Sequence, residues 1–212
     1  MALFKVVWVM RQNQSFLVPL FIGINILVFF LWGSYSRLFM LNNFAVSWDL
    51  VAEGRYWVLL TSVFSHNMWL HLLINMFVLH SFGRLLEMLL GMKRFFIFYI
   101  LAGILGSLSH AVLSKFYIHQ PDQLAVGASG AIAGLILLFS LMFPKEKILI
   151  FGILPVPALF GALGFIGFDL WGLVQQSQGG GLPIGHGAHL GGALAGIFAY
   201  FYFGRRFKPK FY

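Results

Sequence analysis

The sequence predicts an all-α polytopic membrane protein: a single domain over residues 1–212 with six transmembrane helices and both termini cytoplasmic. Three observations predict it. Of the 212 residues, 60% are hydrophobic and only 9% charged, with a mean hydropathy of +0.88, beyond what soluble globular chains carry. The apolar residues fall into runs of roughly 17–25, the length that crosses a hydrocarbon core of about 30 Å. The basic residues cluster at the ends of those runs, where they orient a chain in the bilayer. The formal charge of +8 therefore reads as membrane anchoring rather than nucleic-acid binding. With no cysteine, the chain has no disulfide framework, thiolate nucleophile or sulfur-built zinc site.

Met1 to Ser15 carries Lys5 and Arg11, and no small-residue cleavage site follows the next apolar run, so it is not read as a signal peptide. The first span is residues 16–32. Gly33 to Ser65 is mixed, with Arg37, Asp49, Glu53 and Arg55 among Tyr35, Phe39, Phe44, Trp48, Tyr56 and Trp57. Such a loop, 33–65, suits the headgroup level. The second span is 68–86, with Arg84, Glu87, Lys93 and Arg94 around its end. The third is 95–113, followed by a short polar connection. The fourth is 127–143, closed by Pro144-Lys145-Glu146-Lys147. The fifth, 148–170, is interrupted by Pro155 and Pro157, which predicts a kink or a late start. Trp171 to Pro183 contains Gly179-Gly180-Gly181 and no charge, the mark of a mobile connector. The sixth span is 187–203, ending in Arg205, Arg206, Lys208 and Lys210.

With the N-terminus cytoplasmic, Lys5, Arg11, Arg84, Lys93, Arg94, Lys145, Lys147 and the four C-terminal bases lie inside. Only Arg37, Arg55 and Lys115 lie outside, so 11 of 14 follow the positive-inside tendency. The second, fourth and sixth helices then all run from the outer face inward, and their first turns share one depth. His71 and Asn75 stand one turn apart on the second, Ser129 near the top of the fourth, and His189 near the top of the sixth. Polar groups at that depth face the bundle interior or a wet cavity. A serine becomes a nucleophile beside a neutral imidazole, and attack on a carbonyl needs donors for the oxyanion. His71, Asn75 and the Ser129 backbone amide can supply them at a helix start whose dipole favours negative charge. Gly127 and Gly130 leave the hydroxyl open, while Gly192 and Gly196 let the sixth helix approach the fourth.

These residues resemble the rhomboid intramembrane serine proteases. The resemblance rests on His71-Leu72-Leu73-Ile74-Asn75, Gly127-Ala128-Ser129-Gly130, and Ala188-His189 with Gly192 and Gly196, supported by Trp57-Val58-Leu59-Leu60-Thr61-Ser62 and His66. It covers nearly the whole chain. It implies a rhomboid-like bundle of six helices and a Ser129–His189 dyad without a catalytic aspartate, with His71 and Asn75 lining the oxyanion site. The implied substrates are transmembrane helices of other membrane proteins, cleaved near the outer face of the cell membrane without cofactor or metal. It also makes the fifth helix and the connector after it a side gate. Two positions depart from the family pattern. Ala133 stands where many members carry an aromatic residue against the histidine, and Val58 where a basic residue follows the tryptophan.

Other polar residues have plainer readings. His66 fixes the first loop and His186 sits at the mouth, both interfacial. His80 and His110 are helix-packing donors. Asp169 reads as a local cap or solvent-facing group rather than a third triad member, and Glu87 as a neutralising partner of Arg84. Phe160, Phe165 and Phe168 read as lipid-facing or gate packing. The competing functions are a catalytically inactive relative that binds and guides membrane proteins, which intact Ser129 and His189 argue against, and a metal site on His66, His71, His186 and His189, which lacks a His-Glu-x-x-His. A solute carrier would show an inverted repeat, which is absent.

Overall fold

The computed structural model describes residues 15–150 and 153–203. The expected basic anchors Lys5, Arg11, Arg205, Arg206, Lys208 and Lys210 lie outside the described residues. The chain is mostly helical, and four helices are long and apolar enough to cross a membrane: α1 (Leu17–Ser34), α5 (Trp69–Leu90), α6 (Met92–Phe116) and α8 (Ala158–Ser177). Between α1 and α5 lie the short helices α2 (Arg37–Phe44), α3 (Trp48–Ala52) and α4 (Val58–Thr61). Two more helices complete the bundle: α7 (Ser129–Met142) and α9 (His186–Tyr202).

The start of α1 is closed from 70 residues away. Its first turn has no acidic residue, and the first amides of any helix lack intrahelical partners. The buried Glu87 of α5 supplies the acceptor: its carboxylate takes the Ser15 hydroxyl (2.5 Å) and the N–H groups of Phe16 (2.8 Å), Leu17 (2.8 Å) and Val18 (3.0 Å). A negative charge at that end also complements the helix dipole. This corrects the pairing with Arg84: four donors at and just before the start of α1, not the neighbouring guanidinium, hold the carboxylate. In α5, a π-turn at Leu79–Gly83 interrupts the α geometry.

The sequence-based boundaries shift most around the fifth span. Two strands replace the expected start of the helix: β1 (Lys147–Ile150) runs antiparallel to β2 (Leu154–Pro157), Lys147 opposite Pro157 and Ile150 opposite Leu154. Pro155 and Pro157 lack the N–H a helix needs, so α8 starts at Ala158 instead of 148. At the other end, nothing before Gly179 breaks the helix. Trp171 continues it to Ser177, and the connector shrinks to the glycine-rich turn and Leu182–Gly185.

At the centre stands α7, with 11 of its 14 residues buried. A helix apolar all round belongs inside a bundle. At about 1.5 Å per residue it rises roughly 21 Å, short of a hydrocarbon core of about 30 Å. It is packed against α9 almost backbone to backbone. A Cβ at Gly192 would overlap the Gly130 carbonyl oxygen, and one at Gly196 would lie 2.6 Å from the Gly134 oxygen. Gly134 in turn faces the Gly192 oxygen, 2.8 Å from where its Cβ would be. We expect Gly192→Ala to push α7 and α9 apart at a cost of about 1–3 kcal/mol, read as a lower thermal midpoint in detergent. An unchanged midpoint would contradict so close an approach.

Candidate active site

The loop before α7 is drawn into the fold by main-chain bonds. Val46 and Ala125 exchange N–H···O bonds of 2.9 and 2.8 Å, and Gly127 N–H donates to Ser62 O at 3.0 Å. From α6, His110 Nε2 bonds the Gln123 carbonyl at 3.0 Å, tying down the loop rather than a neighbouring helix. Gly127 has φ +132, a conformation only glycine adopts without strain. Its missing side chain is also needed for space, since a Cβ there would lie 2.6 Å from His71 Cε1 and 3.0 Å from Nε2. Ser129 follows as the first residue of α7, half-buried and with no side-chain cap at the helix start. Its hydroxyl therefore sits beside amides that have no intrahelical acceptor.

His71 lies in the first turn of α5, and its ring meets that of His66 edge-on at 4.9 Å. His66 is fully buried in the link before α5. Burial, and secondarily the neighbouring His71, pushes its imidazole down to about 3. A neutral ring can accept, and Ala128 N–H points at His66 Nε2 from 3.5 Å. His66 thus supports the serine loop as well as the first loop. Asn75 is buried one turn below His71, and its Nδ2 donates to the His71 carbonyl at 2.8 Å. A carboxamide has two N–H donors, so one remains. Trp57 contributes differently from what its type suggests. The ring is half exposed, while its carbonyl accepts the Thr61 N–H at 2.9 Å. Val58 anchors the loop by burial with Val46, Leu50 and Ala111, whereas Arg55 pairs locally with Glu53 at 3.0 Å.

On the other side, α9 brings His189 to the same junction. The Ala188 carbonyl packs onto Gly130, 3.2 Å from where a Cβ would be, so Ser129–Gly130 and Ala188–His189 lie side by side. No hydrogen bond joins Ser129 Oγ to His189 here, as is common before substrate binds. The Nδ1 of His189 is instead 2.9 Å from Asp169 Oδ1, and His186 Nδ1 reaches the same oxygen at 2.7 Å. Asp169 is 1% exposed, which corrects its reading as a cap or solvent-facing group. His186 is equally buried, not interfacial: its ring fills the space a side chain at Gly172 would take and meets Phe168 edge-on at 5.5 Å. Phe165 covers the ring of His189 at 5.3 Å and 30°, so it faces inward, while Phe160 is exposed.

The structure divides the four histidines of the metal reading. Among the described residues, the ligand atoms within 4.8 Å of one another belong to Asp169, His186 and His189, without His66 or His71. The signal for this cluster was in the spacing. Phe165, Asp169 and Gly172 share one face of α8, and His186 and His189 share one face of α9.

These features define a polytopic helical membrane protein with a hydroxyl and imidazoles gathered at one helix junction. Comparison with known proteins places it more narrowly. The family model described as the Rhomboid domain matches residues 53–206. The chain is 31% identical over 82% of its length to RHOMBOID-like protein 12, mitochondrial, of Arabidopsis thaliana, and 34% identical over 88% to Rhomboid protein 1, mitochondrial, of Saccharomyces cerevisiae. It is 32% identical over 90% to Rhomboid protease GluP of Bacillus subtilis. The chain spans 54%, 53% and 35% of those proteins. It belongs to the rhomboid family, which includes intramembrane serine proteases.

Proposed function

We propose that this chain is an intramembrane serine endopeptidase that cleaves transmembrane helices of membrane-protein substrates. Ser129 is the nucleophile and His189 the general base. The observation that carries the reading is the glycine contact of α7 with α9. It sets the open start of a buried helix, bearing Ser129, beside the turn that bears His189. Its Nδ1 being engaged, the nitrogen of His189 available to take the serine proton is Nε2. Attack forms the Oγ–carbon bond while the O–H bond breaks, and the carbonyl electron pair moves onto oxygen. The Ser129 amide, the free Asn75 N–H and His71 are the donors for that oxyanion. Once protonated, Nε2 gives the proton to the leaving amine as the carbonyl re-forms and the C–N bond breaks. Water then attacks the Ser129 ester, its proton passing through Nε2 back to Oγ as the Oγ–carbon bond breaks and the acid leaves.

The same reading gives six spans, α1, α5, α6, α7, α8 and α9, with both termini on the side rich in lysine and arginine. The site then opens on the opposite, extracytoplasmic face of the cell membrane. The brevity of α7 supports a recessed nucleophile: its 14 residues rise roughly 21 Å, less than a hydrocarbon core of about 30 Å. Rhomboid relatives named as proteases support the reaction class.

The test is covalent labelling of the full chain in liposomes by a fluorophosphonate, together with cleavage of a reporter transmembrane helix. Labelling confined to Ser129 is expected, and labelling elsewhere or none sinks the proposal. Asn75→Ala should lower the cleavage rate by about 10-fold to 1,000-fold, because it removes one oxyanion donor of several. A rate equal to that of the unaltered chain would remove Asn75 from the oxyanion site.

A further inference from the structure

We infer that Asp169 is a positioning residue for the general base, so that the site works as a hydroxyl–imidazole–carboxylate set assembled by three helices. The inference rests on the reading of Ser129 and His189 given above. Its geometric basis is the 2.9 Å contact of Asp169 Oδ1 with His189 Nδ1. A carboxylate oxygen only accepts, so that contact puts the ring proton on Nδ1 and leaves Nε2 bare.

Three further observations favour a built arrangement over a chance one. A carboxylate inside an apolar bundle is costly unless it is paired, and Asp169 is 1% exposed. A second buried donor, His186 Nδ1 at 2.7 Å, holds the same oxygen. Among the described residues the Nε2 of His186 has no partner, and its Nδ1 fixes Asp169. Finally, Phe165 and Asp169, one turn apart on α8, together hold the His189 ring: the phenyl covers its face and the carboxylate fixes its rotation.

During attack the serine proton passes to Nε2, while the Asp169 oxygen on Nδ1 keeps the ring in the orientation that presents Nε2. Nε2 then gives the proton to the leaving amine.

The experiment uses the full chain in liposomes with a reporter transmembrane helix. Asp169→Asn retains size but can present an amide N–H to Nδ1, favouring the other tautomer. The expected result is a kcat lower by about 10²- to 10⁴-fold, with KM changed by less than about twofold. Combined with His189→Ala, the same substitution should cost nothing more, because the two residues act as one unit. Cleavage by Asp169→Asn within about threefold of the unaltered chain would overturn the inference, as would a full further loss in the double variant. Should Asp169→Asn not fold, ¹⁵N-histidine NMR of the unaltered chain decides. A His189 signal of the Nδ1–H tautomer, assigned by its loss in His189→Ala, is expected, and the Nε2–H tautomer refutes the role. Ser129→Ala run in parallel separates the two ideas. Cleavage surviving in that variant defeats the protease reading, whereas loss there with an active Asp169→Asn defeats only the role of Asp169.

Discussion

Ser129→Ala is expected to lower cleavage of a reporter transmembrane helix by several orders of magnitude while leaving the fold intact, since loss of a nucleophile removes the covalent route altogether. The fold should tolerate it well. Ser129 is half-buried, alanine is the better helix former, and the N-cap of α7 is Ala128, not the serine. The loop before it is held by Gly127, Ala128 and His66, not by the serine side chain. Thermal midpoint and detergent elution should therefore match the unaltered chain while product formation falls to background. Full activity in a well-folded Ser129→Ala preparation would end the assignment.

The second large effect is at His189. Removing the imidazole by His189→Ala should reduce the rate about as much as Ser129→Ala, and the double variant should be no worse than either single one, because base and nucleophile act together. Independent, multiplying losses would mean that the two groups do separate jobs. The substitution also frees Asp169 of one of its two donors, leaving His186 alone on a buried oxygen. Some loss of stability should accompany the kinetic effect, on the scale of about 1–3 kcal/mol for an under-satisfied buried polar group. His189→Asn, whose amide can stand near the Nδ1 position and donate to Asp169, should recover part of that stability without recovering the rate. That difference separates the imidazole's chemical role from its part in holding α8 against α9.

Much of the molecule was legible from residue order. Apolar run lengths predict a helical membrane bundle, and the prolines at 155 and 157 signal the late start of α8. The glycines at 130, 192 and 196 announce a close helix contact. What the pattern misplaced is consistent in kind. Local spacing makes Glu87, Asp169 and His186 look local or interfacial, whereas all three are buried and partnered across long separations in the chain. Hydropathy records that such a group is costly in an apolar setting, but not which distant donor offsets the cost. Proximity in sequence pointed to Arg84 for Glu87, whereas the unpaired amides at the start of α1 were the larger need.

The sequence by itself determined the mostly helical membrane character and the rhomboid set of motifs, because both depend on run length and spacing along one chain. Only the tertiary structure decided what each polar group touches: the carboxylate of α8 on the imidazole of α9, the glutamate of α5 on the start of α1, the glycine of the serine loop beneath His71. Those pairings are fixed by how closely helices pack, and packing is settled by surfaces that meet from opposite ends of the chain.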